Sequence, residues 1–180
     1  MILDPVPALV TIDLQRGILA LPTVHPSQEV VGYAAELAAA FRRHDLPVAL
    51  VNVTGGAPGR TDAPRMAADL PEGWTDLAPA LGHTPSDHCV TKKTWGAFTA
   101  TDLAAWLHAQ KATQVVLAGI STSIGVESTA RQAYELGFNV LLAIDAMTDR
   151  SIEAHANSVE RIFPRLGECA TTAEILAALG

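Results

Sequence analysis

Short apolar runs alternate along the chain with stretches of helical periodicity, the pattern of a sheet whose strands are covered on both faces. The apolar runs that predict strands are Ala8–Ile12, Val48–Val53, His88–Thr91, Val115–Ala118, Phe138–Ile144 and, more weakly, Leu166–Ala170. Helices are predicted over Pro26–His44, from Thr99 or Thr101 onward, from about Ser121 to Gly137, and over Ser151–Ile162 and Ala173–Leu179. This alternation predicts an α/β fold: a three-layer, Rossmann-like α/β/α sandwich with a mostly parallel sheet of about six strands, in one domain over residues 1–180.

The segment Val115–Asp149 has the clearest strand–helix–strand pattern. The hydroxyl groups of Ser121, Thr122 and Ser123 are expected to cap its helix, with Ala130, Ala133 and Tyr134 facing inward and Glu127 and Glu135 facing solvent. Thr172 is expected to cap the final helix. In open α/β sheets, ligands bind beyond the carboxyl ends of the strands, so the residues that follow each strand are the candidates for chemistry.

The amino-acid composition limits the kinds of molecule that the protein is expected to bind. The 180 residues are 49% hydrophobic and 17% charged, with a net charge of −7, which argues against nucleic acid or an anionic membrane surface as the main partner. No transmembrane segment or signal peptide is recognised, and two cysteines make no disulfide framework, so we expect a cytoplasmic protein. No phosphate-binding loop, nucleophile elbow or metal-ligand spacing is present, so neither a cofactor nor a metal is expected.

Two charged residues follow predicted strands. Asp13 comes directly after the first strand, where it is equally compatible with a turn cap or a functional carboxylate. Lys92 ends the third strand, and strand alternation turns Lys93 the opposite way. A lysine is rarely buried without a partner, and Asp13 could be that partner.

The segment Thr54–Pro71 is predicted to be a long loop at the same edge of the sheet. Its Arg60 and Arg65 could bind a carboxylate, although each alone is better explained as a solvated charge. His155 is given little weight, because a single histidine on a helix usually has no catalytic role.

Three motifs stand in order at strand ends: LVTIDLQ (Leu9–Gln15), TKKTWGAFTATDL (Thr91–Leu103) and GISTSIGVESTA (Gly119–Ala130). Together they resemble the isochorismatase-like hydrolase family of the cysteine-hydrolase superfamily. The resemblance implies a catalytic aspartate at Asp13, a catalytic lysine at Lys92, a cis peptide between Ile120 and Ser121, a small-molecule substrate and a homo-oligomer, either dimer or tetramer. The residues it suggests for substrate binding are Ile120, Ser121, Thr122, Ser123, Arg60, Trp95 and Phe98.

One departure from the family pattern bears on the chemistry. Amide-cleaving members carry a cysteine where this chain has Gly125, and Cys89 and Cys169 are not expected to replace it. Glycine forms no thioester, so covalent amide hydrolysis is disfavoured. Members that resemble true isochorismatases also have glycine in this slot, which implies hydrolysis of a vinyl ether with release of pyruvate.

By resemblance, protonated Asp13 would donate to the vinyl carbon and Lys92 would hold its carboxyl group in place. An adjacent ammonium lowers the pKa of a carboxyl, and the sequence leaves open whether burial outweighs it. The turn GISTSIG also differs from the GVYAHxG of isochorismatases, so isochorismate is a candidate among small anionic metabolites. A non-catalytic member that binds a metabolite or partner, and an amidase that uses water directly, remain the alternatives.

Overall fold

The computed structural model describes residues 1–64, 66–67 and 69–180, and Arg65 therefore lies outside the described residues. Six strands, all parallel, form one sheet in this part of the chain. The strands are β1 (Pro7–Ile12), β2 (Val48–Val53), β3 (His88–Lys92), β4 (Gln114–Ile120), β5 (Asn139–Thr148) and β6 (Glu168–Ala170). Their order across the sheet is β3-β2-β1-β4-β5-β6.

Helices connect the strands and cover the sheet. The α-helices are α1 (Arg16–Leu19), α2 (Ser27–Arg43), α3 (Leu103–Ala109), α4 (Glu127–Glu135), α5 (Ile152–Asn157) and α6 (Thr172–Leu179). Tighter or wider turns occupy Pro79–Leu81, Thr122–Val126, Ser158–Ile162 and Phe163–Arg165, of which the second and third are π-helical. Among the described residues, no helix is long and apolar enough to cross a membrane.

Two hydrophobic layers lie on opposite faces of the sheet. On one face, α2 and α6 pack through residues such as Leu37, Phe41 and Ile175. On the other face, α3 and α4 pack through residues such as Leu107 and Ala130. The predicted three-layer α/β/α architecture is confirmed, since strands with buried side chains on both faces need helices on both sides.

The direction of strand order reverses between β1 and β4, which are neighbours at the centre of the sheet. Gly119, near the end of β4, pairs with Ile12 of β1 and has a φ of +130°. A Cβ atom there would lie 2.1 Å from the carbonyl oxygen of Ile12, so only glycine fits. Asp13 and Ser121 therefore leave the sheet side by side, at the crevice where such folds bind ligands.

The prediction that the fifth strand ends at Ile144, just before Asp145, is wrong. The register against β4 shifts between Leu117 and Gly119, so Asp145 lies in an irregular stretch and the strand continues to Thr148. The Asp145 carboxylate accepts hydrogen bonds from the backbone and hydroxyl groups of Thr172. The predicted cap of the last helix is likewise displaced by one residue, because Thr171 forms the capping box.

The start of the central helix also differs from the prediction. A π-helical turn over Thr122–Val126 precedes α4, and Ser121 makes no capping bond from its side chain to the described residues. Tyr134 is 55% exposed rather than inward-facing. Glu127, predicted to face solvent, instead accepts hydrogen bonds from Arg131 and Ser158.

Candidate active site

A buried ion pair lies at the end of β1. The Lys92 Nζ atom is 2.7 Å from Asp13 Oδ2, and the two residues are only 2% and 5% exposed. Lys92 Nζ also donates a hydrogen bond to the Thr94 carbonyl oxygen at 3.1 Å. Lys93 is exposed, so the two lysines point opposite ways as expected from strand alternation, and Asp13 is the partner suggested for a buried Lys92.

Burial outweighs the lysine in the electrostatics of Asp13. Desolvation raises the pKa of its carboxyl group from 3.8 to about 6, against the lowering effects of the Lys92 charge and hydrogen bond. The second carboxyl oxygen, Oδ1, is buried and has no hydrogen-bond partner among the described residues. A carboxyl group of this kind can hold a proton near neutral pH and present it to a bound molecule.

Gly125 faces the same carboxyl group from the π-helical turn. A Cβ atom at Gly125 would lie 3.2 Å from Asp13 Oδ2 and 2.9 Å from Ile12 Cγ2. The peptide bond between Ile120 and Ser121 is cis, as expected, and the Ile120 carbonyl oxygen lies 3.6 Å from that same Cβ position. The structure thus brings Asp13, Lys92, Gly125 and the cis turn together.

The hydroxyl groups after the cis turn have partners of their own. Ser123 donates both its backbone N–H and its hydroxyl to Asp149 Oδ2, each at 2.8 Å. The Thr122 hydroxyl lies 2.9 Å from His155 Nδ1. These contacts fix the turn, and they occupy hydroxyl groups that the sequence suggested for a substrate.

His155 belongs to a cluster that the sequence analysis missed. Its ring lies 4.8 Å from that of His25, whose backbone N–H donates to the hydroxyl of Thr148. Burial and the neighbouring His25 lower the pKa of His155, while Asp149 acts in the opposite direction. Because His25 and His155 are 130 positions apart, no sequence pattern signalled that they would meet.

Gln15 is a second residue without an assigned role, although it ends the IDLQ motif. It is fully buried, donates to the Val53 carbonyl oxygen at 3.0 Å and accepts from the Val53 N–H at 2.7 Å. It thereby joins the ends of β1 and β2 beneath Asp13. The signal was available, since a glutamine directly after a buried strand needs backbone partners.

The structure gives different surroundings to three residues suggested for substrate binding. Trp95 is 62% exposed, Arg60 is exposed, and Phe98 packs with the core residue Phe138 at a ring distance of 6.0 Å. All three lie on connecting segments, whose course strand and helix patterns do not predict.

Neither cysteine contacts the ion pair. Cys89 is exposed, lies 3.3 Å from His83 Nε2, and has its pKa raised by partial burial and by Asp87. Partial burial also raises the pKa of Cys169. Within the described ranges, no three metal-ligating side chains are grouped to hold an ion.

Comparison with known proteins finds similarity to isochorismatase family proteins over nearly the whole chain. Residues 7–174 match the isochorismatase domain. An isochorismatase family protein of Escherichia coli O157:H7 is 48% identical over 96% of this chain and 95% of its own. The solved structure of an isochorismatase family protein from Burkholderia thailandensis has a TM-score of 0.95 at 46% identity, covering 98% of this chain and 97% of that one. The maleamate amidohydrolase of Pseudomonas putida is 30% identical over 96% of this chain and 86% of its own.

Proposed function

The chain belongs to the isochorismatase family of hydrolases, and from that premise we propose that it hydrolyses a small anionic metabolite without a covalent cysteine intermediate. The best candidate reaction is the hydrolysis of a vinyl ether of the isochorismate type. The observation that carries the proposal is the raised pKa of a buried Asp13 whose Oδ1 atom has no partner among the described residues.

Each proposed step uses a group that lies at the site. Protonated Asp13 donates its proton to the terminal vinyl carbon, which leaves an oxocarbenium-like centre at the ether carbon. Water adds to that centre and returns a proton to Asp13. The resulting hemiketal breaks its bond to the former ether oxygen, which takes up the hydroxyl proton, and releases pyruvate and an alcohol. Lys92 holds the carboxylate that remains after the first transfer, at 2.7 Å from Oδ2.

Gly125 supports a route without a covalent intermediate. A side chain there would crowd Ile12 Cγ2 and Asp13 Oδ2, which lie 2.9 and 3.2 Å from the Cβ position, and glycine offers no thiol to attack a carbonyl group. The backbone of the turn at Ser121–Gly125 is the proposed contact for a substrate carboxylate, since helix starts present N–H groups to anions. The Ser123 N–H already donates to Asp149 Oδ2 and is not one of the proposed contacts. By family resemblance we also propose a dimer or tetramer, which sedimentation velocity would detect.

The test is release of pyruvate from isochorismate, measured with lactate dehydrogenase and NADH. We expect turnover by the wild-type protein and a loss of roughly 10²–10⁴-fold in Asp13→Asn, the scale of a lost general acid. Lys92→Met should also lose activity, while Lys93→Met is its matched control because the adjacent Lys93 side chain is exposed. Failure of the folded wild-type protein to release pyruvate would exclude isochorismate.

A water-dependent amidase is the second candidate, favoured by the similarity to a maleamate amidohydrolase. It predicts release of ammonia from small anionic amides with no pyruvate formed. If neither product appears and small anionic metabolites still bind, the chain is a non-catalytic member of the fold.

A further inference from the structure

The hydroxyl group of Thr129 makes hydrogen bonds to two separate parts of the site. Thr129 is fully buried on α4, and its Oγ1 donates to the Gly125 carbonyl oxygen at 2.7 Å. A threonine that bonds the carbonyl four residues earlier is common in helices. The same Oγ1 also accepts from the Ala97 backbone N–H at 3.1 Å, and Ala97 lies 32 positions away in the chain.

Each partner of Thr129 belongs to a segment that is linked to Asp13 Oδ2. Gly125 stands so that a Cβ atom there would be 3.2 Å from Asp13 Oδ2. Ala97 lies on the loop that follows Lys92, and the carbonyl oxygen of Thr94 on that loop accepts from Lys92 Nζ. The Thr94 hydroxyl donates to the Gly96 carbonyl oxygen at 2.9 Å. This hydrogen bond links Thr94 to the residue that precedes Ala97.

We propose that Thr129 is a positioning residue for catalysis, whose hydroxyl group fixes the distance between the Gly125 turn and the loop that follows Lys92, and thereby the place of Lys92 Nζ beside Asp13 Oδ2. The role in catalysis rests on the proposed function, whereas the effect on Asp13 and Lys92 does not. Without the hydroxyl group, the buried Ala97 N–H would lose the acceptor that the structure gives it, and the Gly125 carbonyl oxygen would lose its hydrogen bond from Oγ1. The segment that carries Thr94 would then shift, and Lys92 Nζ would move with its acceptor.

Gln132 provides a matched control on the same helix. Its Oε1 accepts from the Phe98 N–H at 3.1 Å and its Nε2 donates to the Thr99 hydroxyl at 2.6 Å. It therefore holds the same loop to α4 one turn later, yet none of its hydrogen bonds reaches Gly125. Gln132→Met keeps a similar volume, loses both bonds and separates general anchoring of the loop from the bridge made by Thr129.

The test follows the carboxyl carbon of Asp13 by ¹³C NMR during a pH titration, alongside steady-state kinetics. In Thr129→Val we expect the pKa of Asp13 to rise above its value of about 6, because the ammonium that lowers it has moved away. We expect kcat to fall by roughly 10²-fold with KM unchanged, the scale of a misplaced catalytic group. Thr129→Ser should restore both quantities, and Gln132→Met should leave both near wild type.

A folded Thr129→Val variant with the wild-type titration of Asp13 would overturn the proposal, as would an equal shift in Gln132→Met. Should Thr129→Val fail to fold, Thr129→Ala removes the hydroxyl group without putting a methyl group in its place, and it has the same expected outcomes. If the wild-type protein turns over no substrate, a shifted titration still supports positioning while the proposed function fails. If the wild-type protein is active and Thr129→Val keeps both its titration and its kcat, positioning fails and the proposed function stands.

Discussion

Asp13→Asn should change how the stability of the protein depends on pH. The carboxyl group of Asp13 has a pKa of about 6 in the folded protein, against an ordinary value of 3.8. Between these two values the folded state binds a proton that the unfolded state has already lost. The free energy of unfolding contributed by Asp13 is therefore fully present below pH 3.8 and falls as the pH rises through about 6.

The size of this effect follows from the shift. A difference of about two pH units, at about 1.36 kcal/mol each, gives about 3 kcal/mol of stability lost between pH 4 and pH 7. For a chain of this length, that corresponds to a fall in Tm of roughly 6–12 °C. The asparagine introduced by Asp13→Asn cannot ionise, so the variant lacks this component and retains the components of all other groups.

Urea unfolding of both proteins at half-unit intervals from pH 4 to pH 8 isolates Asp13. The titrations of groups distant from Asp13 cancel in the difference between the two free energies of unfolding. We expect the free energy of unfolding of the wild type minus that of the variant to decrease by about 3 kcal/mol as the pH rises through about 6.

A flat difference, or one that increases with pH, would refute the reasoning. Most carboxylates paired with a lysine have a lowered pKa and stabilise a protein more as the pH rises. An increase would mean that the Lys92 charge outweighs burial, and the protonated form of Asp13 that the proposed acid requires would then be negligible near neutral pH.

Five further substitutions at four positions test separate parts of the structure. Gly125→Ala should lower the free energy of unfolding by about 1–3 kcal/mol, because the added Cβ atom overpacks against Ile12 and Asp13. Gly125→Cys should in addition give a thiol that reacts with iodoacetamide faster than the two native cysteines. Equal stability of Gly125→Ala and the wild type in urea would show that the slot is wider than the structure indicates. Gly119→Ala should abolish folding. Gly137→Ala should cost only about 1 kcal/mol, because Gly137 also has a positive φ but has open space around its Cβ position. Circular dichroism of the soluble fractions would contradict this prediction if the two variants behaved alike. Trp95→Ala should leave the free energy of unfolding within about 0.5 kcal/mol of wild type because the side chain is 62% exposed, and an unchanged KM would remove Trp95 from the proposed substrate contacts.

The architecture could be predicted because apolar runs and helical periodicity report burial directly. Strands such as Val48–Val53 were predicted with their observed bounds, and α2 differs from Pro26–His44 by one residue at each end. The continuation of β5 beyond Asp145 could not be predicted. It depends on a register shift against a neighbouring strand, and a single strand carries no record of its partner's register.

The candidate site could be predicted only where strand ends determine it. Asp13 and Lys92 meet because parallel strands direct their carboxyl ends to one edge. Alternation turns Lys92 and Lys93 opposite ways, and the family motif selects Lys92. The approach of His25 to His155 depends on how two connecting segments cross. The direction of the Asp13 pKa shift required knowing how completely the fold buries the pair.

The close approach of Ile12 to Gly125 has a consequence for the history of the family. The glycine codons GGT and GGC become cysteine codons by a single base change, so a mutation that introduces a thiol at position 125 is genetically near. Yet a Cβ atom at position 125 would meet Ile12 Cγ2 at 2.9 Å, so a lineage that acquires the cysteine first must pass through a less stable protein. A smaller side chain at position 12 would open the way beforehand. Reconstructed ancestors on either side of such an exchange should therefore differ at position 12 as well as at position 125.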